Sequence, residues 1–158
     1  MIVLGVGDLG ASATAGEVIR TYALGSCVAV ILIDPRGRAG GMLHLALPES
    51  HINPAKAQSC PGYFADTGIP ALLRQMERLG CPPRSLIVKL AGGAKIMDPN
   101  DTFSIGKRNV LATKKLLWTH GLGAVAEDVG ENFSRTVNLQ IGSGEVTLSS
   151  PGRPNWTL

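Results

Sequence analysis

At 158 residues, with 44% hydrophobic and 17% charged residues, the chain is long enough to bury the core of one domain without disulfide or metal staples. A net charge of +3 is mild, and two Trp, two Tyr and three Phe supply little for base stacking, so no nucleic acid partner is indicated. No apolar run reaches about 18 residues and no charged leader precedes a cleavage site, so a cytoplasmic protein without membrane insertion is expected.

Ile2 to Val6 reads as an edge strand, and Glu17 to Leu24 as an extended run leading to a loop before Cys27. Strands are expected over 27–33 and 39–47, and Val28-Ala-Val-Ile-Leu-Ile33 is apolar on both faces, as a strand covered on both sides must be. Residues 48–65 carry Pro48, Pro54, Pro61 and Gly62 and read as a loop that could hold substrate contacts. His51 within it is read as solvated.

From Thr67 to Leu79 the residues Ile69, Leu72, Leu73, Met76 and Leu79 recur at helical spacing, and Gly80 follows as a stop. Ser85 to Leu90 is a buried strand ending in Ala91-Gly92-Gly93-Ala94, a close-packed turn that lacks the spacing and Lys of a phosphate loop. A second helix runs from about Ile105 to His120, with Lys107, Arg108, Lys114 and Lys115 forming a solvated face whose partner, if any, would be an acidic protein surface. Strands follow near 123–129, 134–141 and 145–149, the last two joined at Gly142-Ser143-Gly144. Residues 1–150 thus form a single domain, and Pro151 to Leu158 reads as a loose, flexible tail. Many strands with two main helices predict an α+β fold.

Cys27, Cys60 and Cys81 are an odd count without paired spacing, which argues for reduced thiols. The histidines at 44, 51 and 120 are scattered, so no metal site is expected. No motif asks for a cofactor.

Cys27 and His44 carry the chemistry. Asp34-Pro35-Arg36-Gly37 between them has the residue preferences of a tight turn, so the segment folds back as a hairpin. With an even number of residues between paired strands, Cys27 and His44 share a face, their Cβ atoms about 5 to 8 Å apart. An odd loop with a Gly37 bulge would send them to opposite faces. A thiol beside an imidazole is the smallest unit of a cysteine acyl-transfer site, because a neighbouring imidazolium lowers the thiol from about 8.5 and can later give its proton to the leaving group. Gly25 permits close approach of a substrate, and the backbone N–H groups at Ser26 and Cys27 could hold an oxyanion. The same residues also suit a buried structural Cys at a strand start with a hydrogen-bonded core His.

The run Thr21-Tyr-Ala-Leu-Gly-Ser-Cys27, followed by Asp34-Pro35, Gly40, Met42, His44 and Leu47-Pro48, resembles the CheD family of chemoreceptor glutamine deamidases. So do Tyr63-Phe-Ala-Asp66-Thr67, Ala91-Gly-Gly-Ala94 with Met97, Ile105-Gly106 with Arg108-Asn109, and Glu127-Asp128 with Gly130, Asn132 and Arg135. The resemblance spans residues 2 to 149. It departs at Asp128-Val129-Gly130-Glu131, where the family usually has two glycines after Asp-Thr.

The resemblance implies a layered α/β/β sandwich like that of toxin-type glutamine deamidases, with mixed and antiparallel sheets. It implies a Cys27-His44-Thr21 site in which Thr21 orients the ring. The implied activity is hydrolysis of glutamine side chains on methyl-accepting chemotaxis receptors, with the phosphatase CheC and the kinase CheA as further partners of the family and a monomer when free. A receptor methylesterase using the same thiol, and a regulator acting only by contact with receptors or CheC, are the rival readings.

Overall fold

The computed structural model of the protein describes residues 1–96 and 103–158; Met97, part of the resemblance above, lies outside the described residues. In chain order the elements are β1 (Ile2–Leu4), β2 (Leu9–Ser12), β3 (Val18–Leu24), β4 (Val28–Ile33), β5 (Gly40–Leu45), α1 (Pro54–Ser59), α2 (Ala65–Arg78), β6 (Ile87–Gly92), α3 (Ile105–Thr119), β7 (Ala124–Val129), β8 (Arg135–Gln140), β9 (Val146–Ser149) and β10 (Trp156–Thr157). The strands form two five-stranded sheets, β1-β3-β8-β9-β10 and β2-β5-β4-β6-β7. Both are mixed: β1 is parallel to β3, β7 is parallel to β6, and the remaining pairs are antiparallel.

Two cores explain the double-sided apolar strands. Val28, Val30 and Leu32 of β4, with Leu43 and Leu45 of β5, pack under Ile69, Leu72, Leu73 and Met76 of α2 and Val110 and Leu117 of α3. Ala29, Ile31 and Ile33, with Met42, face Ile19, Val137, Leu139 and Leu148 of the other sheet. The order is therefore helices, sheet, sheet, an α/β/β sandwich. Each large aliphatic side chain so buried contributes about 1.5 to 3 kcal/mol, and all six residues of β4 are buried.

The hairpin settles the parity question. β4 pairs with β5 from Val28↔Leu45 to Ile33↔Gly40, which leaves the even stretch 34–39 between the strands. Gly37 N–H closes the turn on Asp34 O at 2.8 Å. The buried Asp34 carboxylate accepts from the Arg38 guanidinium at 2.9 and 3.2 Å, which holds it below the usual carboxylate range.

Three segments differ from the sequence expectation. Leu9–Ser12, too short to show a period, forms β2 by pairing with β5. The stretch 48–65, expected as a loop, contains α1, started by Pro54 and by Asn53 Oδ1 accepting from Lys56 N–H, together with single 3₁₀ turns at Ser50–Ile52 and Pro61–Tyr63. Asp66 ties it down, its carboxylate accepting from Ser50 N–H and Oγ–H at 2.9 to 3.2 Å.

The third is the chain's end. Where a loose tail is expected over 151–158, Trp156–Thr157 pair with β9 as β10. Trp156 Nε1–H donates to Asp128 at 2.8 Å, and Lys89 Nζ donates to Leu158 O at 2.6 Å. These partners are distant in sequence, so local composition gives no sign of them.

Candidate active site

Cys27 stands one residue before β4. Extending the ladder puts it opposite Ala46, and His44, opposite Ala29, is its diagonal neighbour on the same face. That face looks toward the other sheet, since Ala29, Met42 and Cys27 all pack in the core between the sheets. Diagonal Cβ atoms in such a ladder are about 7 to 8 Å apart or less, within the span of a thiol and an imidazole.

Thr21 comes from the facing sheet. A bulge in the β3–β8 pairing between Thr21 and Leu24, with Ala23 at φ 51°, lets both Thr21 and Leu24 point into the core although they are three residues apart. Thr21 Oγ1 lies 2.7 Å from His44 Nδ1 and 2.8 Å from Leu4 O. A hydroxyl has one hydrogen and a carbonyl only accepts. The Thr21 hydroxyl therefore donates to Leu4 O and accepts from Nδ1–H, which leaves the His44 Nε2 lone pair free.

Nε2 is buried and has no hydrogen-bond partner among the described residues; the Cys27 thiol does not hydrogen-bond to it at rest. Burial pushes the imidazole down from 6.5 to about 4, against the nearby Asp8 charge, which acts to raise it. Burial also pushes the Cys27 thiol up, partly offset by its own backbone N–H. The expected imidazolium-activated thiol is thus replaced at rest by a neutral pair, because desolvation outweighs the Asp8 charge at His44 and the backbone N–H at Cys27.

The turn before Cys27 is held from behind. Ala94 N–H donates to Gly25 O at 2.8 Å, Gly93 N–H to Cys27 O at 2.8 Å, and Asn109 Nδ2 to Ser26 O at 2.9 Å. Gly92 and Gly93 have φ of 108° and 64°, and a Cβ on Gly92 would stand 2.3 Å from Cys27 O. The glycine pair is thus the close-packed turn expected, its contact being the Cys27 backbone. Gly25 borders open space, with nothing within 4 Å of an added Cβ, and Gly25, Ser26 and Cys27 are half-buried. The N–H groups of Ser26 and Cys27 have no backbone partner among the described residues.

A cavity of about 430 Å³ begins at Leu47, just past Ala46, and is lined by Pro48, Ile52, Phe103, Arg108 and Leu111 among others. His51 also borders it but is exposed, its Nδ1 3.0 Å from the Glu49 carboxylate. Cys60 Sγ–H donates to Gly7 O at 3.3 Å, and Cys81 is buried. Among the described residues no group of three or more His, Cys, Asp or Glu is placed to hold a metal ion, and no helix is long and apolar enough to cross a membrane.

The family model described as CheD chemotactic sensory transduction matches residues 46–150. The chain belongs to the CheD family. A "Probable chemoreceptor glutamine deamidase CheD" from Syntrophotalea carbinolica is 55% identical, over 99% of this chain and 98% of the relative. One from Syntrophus aciditrophicus, "CheD 1", is 42% identical over 97% and 96%, and one from Thermococcus kodakarensis is 38% identical over 93% and 91%. A solved structure titled as Bacillus licheniformis hypothetical protein YfiH aligns with 77% of this chain and 49% of its own at 12% identity and a TM-score of 0.48. The family-model match begins after Thr21, Cys27 and His44, whereas these full-length relatives span most of the chain.

Sequence reasoning missed the part played by Asn109, Leu4 O and the glycine pair in shaping this site. Asn109 had a visible signal, being an amide on the buried stripe Gly106, Asn109, Val110, Thr113 and Leu117 of α3. Leu4 O had none, since a backbone carbonyl leaves no mark on composition.

Proposed function

We propose that the protein is a protein-glutamine glutaminase that converts glutamine side chains of methyl-accepting chemotaxis receptors to glutamate, with Cys27 as nucleophile, His44 as acid and base, and Thr21 orienting the ring. The observation that carries this is the Thr21–His44 hydrogen bond at 2.7 Å, which leaves Nε2 unprotonated on the face that Cys27 shares. The names of the full-length CheD relatives give the substrate class.

Because thiol and imidazole are neutral at rest, the proton moves as the bond forms. The sulfur attacks the carboxamide carbon while Nε2 takes the thiol proton, and the carbonyl oxygen becomes an oxyanion facing the N–H groups of Ser26 and Cys27. The imidazolium then protonates the amide nitrogen, the C–N bond breaks, and ammonia leaves a thioester. Nε2 next takes a proton from water, whose oxygen attacks the thioester; the C–S bond breaks, the sulfur recovers the proton, and glutamate is released. Gly25 leaves room for the approaching side chain, and the apolar cavity from Leu47 to Leu111 suits the flank of a receptor helix.

The test is mass spectrometry of a receptor cytoplasmic fragment incubated with wild-type protein and with Cys27→Ala. Wild type should replace amide by acid at particular glutamines, and the variant should leave them intact while keeping its fold. Undiminished conversion by the variant would refute the assignment, and release of methanol from methylated glutamates without ammonia from glutamines would point to the esterase instead.

A further inference from the structure

We propose that Asn109 of α3 is a positioning residue for this reaction, holding the Gly25–Cys27 turn so that its N–H groups face the oxyanion. The inference rests on the reading of Cys27 as nucleophile.

Asn109 is fully buried. Its side-chain amide donates both hydrogens, one to Ser26 O at 2.9 Å and one to Ala46 O at 3.0 Å. Those carbonyls flank the extended Cys27–Ala46 position at the mouth of the β4–β5 hairpin, where the ladder ends and strand pairing no longer holds the backbone. Its own Oδ1 is buried with no partner among the described residues. A buried amide with an orphaned oxygen is a poor way to pack a helix, since an apolar side chain of similar volume would avoid that desolvation. The two donated bonds account for an amide at this position.

Three successive carbonyls, Gly25, Ser26 and Cys27, accept from Ala94 N–H, Asn109 Nδ2 and Gly93 N–H. No peptide bond is cis, and in a trans peptide the N–H points opposite to the carbonyl of the preceding residue. Drawing Gly25 O and Ser26 O toward Ala94 and α3 therefore turns the Ser26 and Cys27 N–H groups the other way, where they meet no backbone acceptor among the described residues. Two of the three anchors are backbone donors. Asn109 is the one that depends on a side chain, and it holds the peptide whose N–H belongs to Cys27 itself.

The experiment uses full-length Asn109→Ala and Asn109→Asp. Three quantities are read for each: kcat and KM on the receptor fragment, the rate of Cys27 alkylation by iodoacetamide, and the thermal midpoint. Alkylation is displacement at a saturated carbon and forms no oxyanion, so it reports on the thiol and its base alone. For Asn109→Ala, kcat should fall by about 10²-fold, the effect of losing an oxyanion donor, with KM and the alkylation rate nearly unchanged. Asn109→Asp keeps the shape but sets a carboxylate oxygen against two carbonyls; protonation restores one donor, so its kcat relative to wild type should rise as pH falls.

Wild-type kcat in Asn109→Ala, or kcat and alkylation falling together, would overturn the proposal, the latter marking a merely structural residue. If Asn109→Ala does not fold, the relative pH profile of Asn109→Asp decides, and a flat one counts against the proposal. A wild-type protein that is alkylated at Cys27 but converts no glutamine would sink the deamidase reading itself, and this inference with it.

Discussion

Acidification should cost this fold stability through one ring. His44 is 3% exposed and held neutral, its imidazole at about 4 against 6.5 when free. The folded value is depressed, so the unfolded chain binds the proton first, and the stabilisation present above pH 6.5 is lost as pH falls toward 4. At about 1.4 kcal/mol for each pH unit, and allowing for partial protonation at the ends, the loss between pH 7.5 and 4.5 is about 2.5 kcal/mol. Urea unfolding midpoints of wild type and His44→Gln, taken across that range, isolate the term, because glutamine does not titrate. Asp34, whose carboxylate is held low by Arg38, loses its contribution only below about pH 4, outside the window. The wild-type curve should fall more steeply than the variant's by that amount. Parallel curves would refute the reasoning, since they would mean that the ring takes up its proton as easily inside the fold as outside. The same depression implies that the acid limb of kcat/KM lies near pH 4 and not near 6.5.

Thr21→Val keeps the β-branched shape but leaves His44 Nδ1–H unpartnered and removes the hydroxyl bond to Leu4 O, so stability should fall by about 1 to 3 kcal/mol and turnover sharply, with Thr21→Ser restoring much of both; denaturant titration and ammonia release measure them. Gly92→Ala places a Cβ 2.3 Å from Cys27 O at a φ of 108°, so turnover should collapse, and thermal unfolding should show a loss of more than about 2 kcal/mol. Glu131 sits at φ 60°, its side chain is exposed, and its backbone carbonyl accepts from Lys95 N–H. Glu131→Gly should therefore raise stability by up to about 1 kcal/mol, read as a higher unfolding midpoint, and kcat should not change.

The left-handed Glu131 also accounts for the departure from the family pattern seen in the sequence. The turn after β7 needs positive φ at both Gly130 and Glu131, and the chain holds that shape without a second glycine. Arg135 helps, buried and donating to Asp128 at 2.7 Å and to Gly130 O at 2.9 Å.

The hairpin was legible because its turn residues are local and its strands are apolar on both faces, and the helices because their buried positions recur every three to four residues. The pairing of Cys27 with His44 on one face followed from counting, once the loop between the strands proved even. What lay beyond reach were contacts closed by tertiary structure: β2 against β5, β10 against β9, and the reversal of the expected thiol activation. That last point depends on how dry the ring is, and dryness is a property of the packed sandwich that no spacing of residues encodes.

Thr21 and the Cys27–His44 hairpin belong to different sheets, joined across the inter-sheet core by a single hydroxyl. A chain that had zipped up the β4–β5 sheet alone would hold the thiol and the imidazole without the hydroxyl proposed to orient the ring. On the proposed mechanism, turnover therefore requires the two layers to have closed on each other, so ammonia release reports on the docked sandwich and not on either sheet by itself.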